Sequence, residues 1–436
     1  MKRMTDKWAF SNRKNEKNRR KNQKRFMKTY CLLGLIVWVA FAYQLMFHYI
    51  PDEIYLEEVA IGQNMIAEQE TVEWKFAQGM PITVTEQETI QPVFGTQGVT
   101  EQRLKHQVIS CRLFHLIPVK QVQVHYQERK TVLPAGTNVG IYLKNQGVLV
   151  VSCASFTDQN GALISPAAYR LKSGDMIMRV NDAPMTTKEQ LIEAVAQSGG
   201  RQLTLEVIRE QELIQVAVTP EVADDGIQKI GVWVRDDIAG IGTMTYVTSE
   251  NQYGALGHGV NDIDTGELIQ LENGEIYETQ ITGISKGKRG MPGEVTGTIS
   301  FQKSEYLGTV KQNSDDGIYG QLEQRPDSLS EVSEIPIGYK QEIEKGTAHI
   351  ISSVEGARCT YEIEIEQVDF YPKEENKGIL YRVTDNALLD MTGGIVQGMS
   401  GSPIVQNGKI IGAVTHVLVN DPTRGYGIFI ENMLEH

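Results

Sequence analysis

The 436-residue sequence predicts a mainly β protein: a transmembrane helix near the N-terminus, a small α+β domain, and a large β-barrel domain behind it. Three observations carry this prediction. Residues 30–50 form one uncharged apolar run. Residues 117–220 alternate short apolar strands around a single capped helix. Residues 227–436 are rich in glycine and in short alternating strands, with turn signals every ~8–12 residues, the spacing of an all-β barrel or a pair of them. With 41% apolar residues and 7% aromatic, the chain has enough apolar surface for ordinary globular cores.

The N-terminal elements follow from charge and hydropathy. Residues 1–28 carry twelve Lys or Arg against Asp6 and Glu16, whereas the remainder holds 30 basic and 53 acidic residues, a net charge of −23. An acidic body argues against nucleic acid as the partner. The apolar stretch Tyr30–Ile50 has 21 residues, which as a helix spans about 30 Å, roughly one bilayer core. Tyr30, Tyr43 and Tyr49 lie toward its ends, where interfacial aromatics collect. The basic run ahead of it predicts a cytoplasmic tail (1–28), a single-pass signal anchor (29–50) and a body on the far side of the membrane. A cleaved signal peptide is the rival; the run is long for one and no small-x-small cleavage site follows at once. Residues 51–116, acidic and weakly periodic, read as a stalk.

From Ile117 the pattern sharpens. Val119, Val122, Val124 and Tyr126 predict a strand, and Val148–Val151 a buried one. Thr186-Thr187-Lys188-Glu189 reads as a capping box opening a helix with Leu191, Ile192 and Val195 on one face, closed by Gly199-Gly200. Strands on Leu203, Leu205 and Val207 and then on Leu213, Val216 and Val218 complete the domain. This order, with Lys172-Ser173-Gly174-Asp175 before a strand and Asn181-Asp182 in the next turn, resembles a bacterial PDZ domain over 117–220. The resemblance implies that Val139, Gly140 and Ile141 present backbone N–H groups to a peptide carboxylate, the peptide adding as a strand at the sheet edge.

The polar segment Pro220–Gly226 reads as a linker to the last domain, 227–436. There, Gly394-Ile395-Val396-Gln397-Gly398-Met399-Ser400-Gly401-Ser402-Pro403 sets a serine in a glycine-rich turn before a strand, Asn407-Gly408 turn, strand pattern. Gly398-x-Ser400-Gly401 lets the N–H groups of Gly398 and Ser400 face one point, as an oxyanion hole beside a serine nucleophile requires. A serine needs a base. His258, between Gly257 and Gly259, is the candidate; His416, in the strand after the serine hairpin, suits a pocket wall together with Thr415, and His349 falls in an alternating run. The alternation Tyr361-Glu362-Ile363-Glu364-Ile365-Glu366 reads as a strand with one solvated face, not as a metal cluster. Asp262 and Asp264 do not make a calcium loop, because Ile263 stands where an oxygen ligand is needed. No Cys/His metal spacing occurs, and Cys111, Cys153 and Cys359 read mostly as buried thiols.

Gly257-His258-Gly259-Val260-Asn261-Asp262, the upstream PDZ-like stretch, the anchor, the Ser400 turn and the tail Thr415–Ile428 together resemble the stage IV sporulation protein B (SpoIVB) peptidase family of spore-forming Firmicutes. The resemblance implies a chymotrypsin-like double-barrel serine endopeptidase with a Ser-His-Asp triad and no cofactor. It implies cleavage of a membrane-bound regulator of an intramembrane protease, with activation of a late sigma factor, and self-cleavage near the N-terminus. It places the enzyme on the forespore membrane facing the intermembrane space. Carried onto this sequence, Ser400 is the nucleophile, His258 the base and Asp385 the triad acid, with Asp390, Asp315 and Asp316 as alternatives. Gly394, six residues before the serine, would stand at an uncharged pocket floor. Two other readings compete: an inert PDZ adaptor, and a cell-envelope stress protease.

Overall fold

The computed structural model describes residues 33–41, 50–57, 82–87, 106–113 and 116–436, with isolated helical positions from Met27 to Phe47. The basic tail falls almost entirely outside the described residues. Within the apolar run, residues 33–41 are helical, and Leu33, Leu35, Ile36, Val37, Trp38 and Phe41 are exposed. Among the described residues no helix is long and apolar enough to cross a membrane.

The chain divides into two compact units, 1–127 and 128–436. The first contains a four-stranded sheet in the order Glu53–Glu57, Ile117–Gln127, His106–Leu113, Ile82–Gln87. Its first pair is parallel and the others antiparallel. Ile54, Ile109, Cys111, Val122 and Val124 form its buried face. The described residues of the expected stalk are therefore mostly sheet, and the strand from Ile117 closes this unit instead of opening the next one.

The second unit is organised by one strand, Thr131–Cys153, 23 residues long. Its first part pairs on one side with Val232–Val247 and on the other with Leu271–Ser285. Through Gln252–Ala255, Gly317–Leu322 and Tyr306–Ser314 these strands close a six-membered ring. Leu133, Val139, Ile141, Leu143, Met244, Ile276 and Ile318 fill it. A second closed barrel is made of Gly346–Ser352, Cys359–Val368, Ile379–Val383, Asp421–Phe429, Lys409–Leu418 and Pro403–Gln406. There Tyr361, Ile363 and Ile365 point inward and Glu362 and Glu364 outward, as the strand period of two demands.

The PDZ-like region is an insertion in the first barrel. After residue 147 the long strand leaves the barrel and pairs with Met176–Val180, and the sheet continues through Leu203–Arg209 and Glu212–Val218. The helix Lys188–Gln197 packs Leu191 and Val195 into a core with Val148, Ile177, Leu205 and Val218. Thr187 is its N-cap; the capping box closes on Gln190, three residues on, and not on Glu189. The chain re-enters the barrel along Val232–Val247, which pairs with the long strand over its whole length. The expected split at 220–227 is thus bridged by a continuous ladder.

Candidate active site

The fold puts the two candidate catalytic side chains at the ends of strands from different barrels. His258 follows Gln252–Ala255 of the first barrel through Leu256 and Gly257, both left-handed (φ 69° each). Gly257 has no substitute there: a Cβ would lie 2.9 Å from Thr415 Cγ2 and 3.0 Å from Ile428 Cγ2 of the second barrel. Ser400 precedes Pro403–Gln406 of the second barrel, in a turn where Gly398 (φ 99°) and Gly401 (φ 93°) are left-handed. His258, Ser400, Gly398, Thr415 and His416 all line one cleft of about 450 Å³ between the barrels.

The hydrogen bonds define each group's state. His258 Nδ1 lies 2.8 Å from the carbonyl of Gly259. A carbonyl only accepts, so Nδ1 carries the proton and Nε2 is left as an acceptor, the tautomer a general base needs. Burial pulls the His258 pKa below its ordinary value, so the imidazole is neutral at pH 7. Ser400 Oγ donates to the Thr415 carbonyl at 2.9 Å. The next ring, His416, sits 5.4 Å from His258 centroid to centroid. Burial first, then the neighbouring His258 and Lys377, take His416 down to about 4.

The Ser400 turn is clamped from the first barrel. Thr243 N–H donates to the Ser400 carbonyl at 3.0 Å. The Thr243 hydroxyl has two acceptors in reach, Gly398 O at 2.8 Å and Asn138 Oδ1 at 3.0 Å. Thr245 Oγ1 donates to Gly401 O at 2.8 Å. The N–H groups of these same peptides, those of Met399, Gly401 and Ser402, donate to the carbonyls of Val396, Val414 and Met399 at 3.1, 2.7 and 2.9 Å, so the turn is held from both sides, while the N–H groups of Gly398 and Ser400 belong to other peptides. Thr243, Thr245 and Asn138 are buried. Sequence reasoning missed all three: a threonine on a strand is an ordinary β residue, and only its partners distinguish it.

Other expected residues fall elsewhere. Asp385 is the N-cap of the helix Asn386–Thr392: Oδ1 accepts from Leu388 N at 3.0 Å and Oδ2 from Glu362 N at 3.4 Å. It is not among the residues lining the cleft, and the bond that fixes His258 goes to a backbone carbonyl. The expected Ser-His-Asp relay through Asp385 is not formed here; the carboxylate is engaged in capping. The alternatives do no better. Asp316 pairs with the terminal His436 at 2.6 Å, and Asp315 and Asp390 are exposed. Gly394 is buried behind the cleft wall, where a Cβ would lie 2.1 Å from the Pro422 carbonyl, so Ile395 and Val396 line the cleft in its place.

Val139, Gly140 and Ile141 cannot receive a peptide by strand addition. Gly140 pairs with Ile241 on one side and Tyr277 on the other, and Val139 and Ile141 are buried in the barrel. Both edges are taken. Beyond them, Val232–Arg235 lies along Leu149–Cys153, and the following Asp236 accepts from Lys188 N and Nζ at the start of the insert's helix, at 2.9 and 2.8 Å. Cys153 is exposed, against the expectation of a buried thiol, while Cys111 is buried and pushed up to about 11.

A family model described as SpoIVB peptidase S55 matches residues 226–434. The C-terminal domain, residues 226–434, is thus shown to be of this peptidase family. This half of the chain is accordingly a serine peptidase domain. The SpoIVB match begins downstream of Thr131, so the first strand of the first barrel lies outside it. Among solved structures, the chain is similar to a PDZ domain of an SdrC-like protein from Listeria monocytogenes (19% identity, 20% of this chain and 87% of that one, TM-score 0.17). It is also similar to a protease from M. tuberculosis in its active form (15%, 45% and 74%, TM-score 0.27). A third is the HtrA-type protease AlgW with a decapeptide (9%, 69% and 62%, TM-score 0.27). The chain matches no curated protein sequence.

Proposed function

We propose that this SpoIVB-family peptidase is a membrane-anchored serine endopeptidase in which Ser400 attacks the scissile carbonyl and His258 is the base. The observation that carries this reading is the shared cleft: a serine in a left-handed glycine turn and a neutral histidine with its Nε2 free, brought together from two barrels. In the first step Ser400 Oγ leaves the Thr415 carbonyl, gives its proton to Nε2 and bonds to the substrate carbonyl carbon. The oxyanion is received by the N–H groups of Gly398 and Ser400. His258 then protonates the departing amine, and water repeats the sequence on the acyl-enzyme. The Gly259 carbonyl holds the imidazole in its working tautomer throughout.

The apolar run at 30–50 and the basic tail ahead of it support a single-pass anchor with the catalytic unit outside. Family membership supports a membrane-bound regulatory protein, and the chain itself, as substrates, and a role in sporulation. The test is labelling by a fluorophosphonate together with self-cleavage. Wild type should label at Ser400 and process itself, and Ser400→Ala should do neither. Self-cleavage by the purified Ser400→Ala protein would refute the assignment.

A further inference from the structure

Resting on the serine-peptidase reading, we infer that Asn376 is a positioning residue: it ties the loop of His258 to the barrel of Ser400 and so sets the base against the serine. Asn376 lies in the segment that joins Cys359–Val368 to Ile379–Val383 in the second barrel. The Asp369 N–H closes the neck of this segment on the Gly378 carbonyl at 2.8 Å. Lys377 holds its far side down, paired with Glu374 at 2.6 Å and lying over the Tyr426 ring at 5.9 Å. The segment is therefore fixed to the second barrel. The Asn376 side chain leaves it. Its Nδ2 donates at 3.3 Å to the Asp315 carbonyl, in the turn between Tyr306–Ser314 and Gly317–Leu322 of the first barrel.

The Asp315 carbonyl is shared. It also accepts from the Gly259 N–H at 3.2 Å, and the Gly259 carbonyl is the group that fixes His258 Nδ1. On its other side Asn376 leads to Ser400. The Asn376 carbonyl accepts from Thr415 Oγ1 at 2.6 Å, a hydroxyl that also has the Tyr426 carbonyl in reach at 3.0 Å, and the Thr415 carbonyl accepts from Ser400 Oγ at 2.9 Å. Ser400 and His258 are thus joined by an unbroken path through Thr415, Asn376, Asp315 and Gly259, and the Asn376 amide is the step that crosses between barrels. Thr243 and Thr245 hold the Ser400 turn from the first barrel; Asn376 is the reciprocal hold on the His258 loop from the second. Stability does not account for the amide. Its Oδ1 is buried with no hydrogen-bond partner among the described residues, and a buried acceptor left unpaired costs more than an apolar group of the same shape.

The experiment compares wild type, Asn376→Leu and Asn376→Asp as full-length chains in detergent, by fluorophosphonate labelling, by hydrolysis of a peptide that the wild type cuts, and by thermal unfolding. Leucine keeps the volume, removes the unpaired acceptor and cannot donate. It should leave the melting temperature within ~2 °C and KM within about twofold. Both kcat and the labelling rate should fall ~10–100-fold, the cost of a base misplaced by up to about 1 Å. Aspartate at pH ~8 sets a carboxylate, which only accepts, against the Asp315 carbonyl and should be as slow as leucine. Once protonated it donates again, so the kcat ratio of Asn376→Asp to Asn376→Leu should rise as pH is lowered from ~8 to ~5, a change that a purely structural role does not produce. Asn376→Leu with wild-type kcat and labelling, or a ratio flat with pH, overturns the proposal and leaves the peptidase reading intact. Unfolding of both variants at the assay temperature overturns it as well, since the amide would then be a determinant of folding. A wild-type chain that neither labels nor cuts any peptide overturns the peptidase reading and this proposal with it.

Discussion

Asp385→Asn separates a catalytic carboxylate from a structural one. In a serine triad, asparagine in place of the aspartate leaves geometry intact but costs about 10⁴ in kcat, because the histidine takes the wrong tautomer. That is roughly 5 kcal/mol of transition-state stabilisation. Here the carboxylate accepts from Leu388 N and Glu362 N, and the His258 tautomer is set by Gly259. Asparagine caps helices about as well as aspartate, so Asp385→Asn should leave kcat within about threefold and the melting temperature nearly unchanged. Asp385→Ala removes the cap and should cost about 1 kcal/mol, a shift of ~2 °C in a unit this large. The assay is hydrolysis of one peptide substrate by both variants, beside thermal unfolding. A fall of a thousandfold or more in Asp385→Asn at unchanged melting temperature would show that the aspartate does act on His258.

Four further outcomes follow from the same geometry. Thr243→Val keeps the shape but takes the hydroxyl from the Gly398 carbonyl and Asn138 Oδ1; it should lower kcat ~10–100-fold with KM little changed, since a mis-set Ser400 turn is felt in the transition state. Gly401→Ala puts a Cβ 2.0 Å from the Thr243 carbonyl at a left-handed φ of 93°, and should abolish fluorophosphonate labelling. For pH, His258 and His416 have folded pKa values below the unfolded value near 6.5, so the unfolded chain binds their protons first. Their contribution to stability is whole above pH 6.5 and is lost as pH falls toward about 4 for His416; kcat/KM should likewise hold level through pH 6.5 and decline only below it. A half-maximum at or above 6.5 contradicts the burial argument. Last, a fragment starting at residue 226, where the family match begins, lacks the barrel strand supplied by residues 131–145, with Leu133, Val139, Ile141 and Leu143. It should be insoluble or molten by circular dichroism, while 128–436 folds.

Much of the chemistry was legible in the sequence because it depends on local rules. A serine in a glycine-rich turn and a histidine between glycines mark turns that few other functions need, and period-two alternation at 361–366 announced a barrel strand. The capping box was visible, though its partner was misplaced by one residue, because the N-cap is Thr187 and not Thr186. Asp385 was misread for a related reason: an aspartate before a short helix satisfies a capping signal and a catalytic expectation equally well, and only its partners decide. The domain boundary at 220–227 failed because a polar turn-rich segment looks the same whether it joins two domains or carries a chain back into the barrel it left.

By itself, then, the sequence determined the elements and where serine and histidine sit in glycine-rich turns: the apolar run, the strands, the insert's helix, and the candidates Ser400 and His258. Only the tertiary structure decided what is adjacent. It made the upstream strand 131–145 part of the peptidase barrel and closed the sheet edge at Val139–Ile141. It assigned the orientation of His258 to Gly259, and it made Thr243 a clamp on the Ser400 turn. The reason is physical. Turn and period signals act over a few residues, whereas a barrel closes through pairings more than a hundred residues apart, such as Gly140 with Tyr277, whose register is fixed by packing both faces at once.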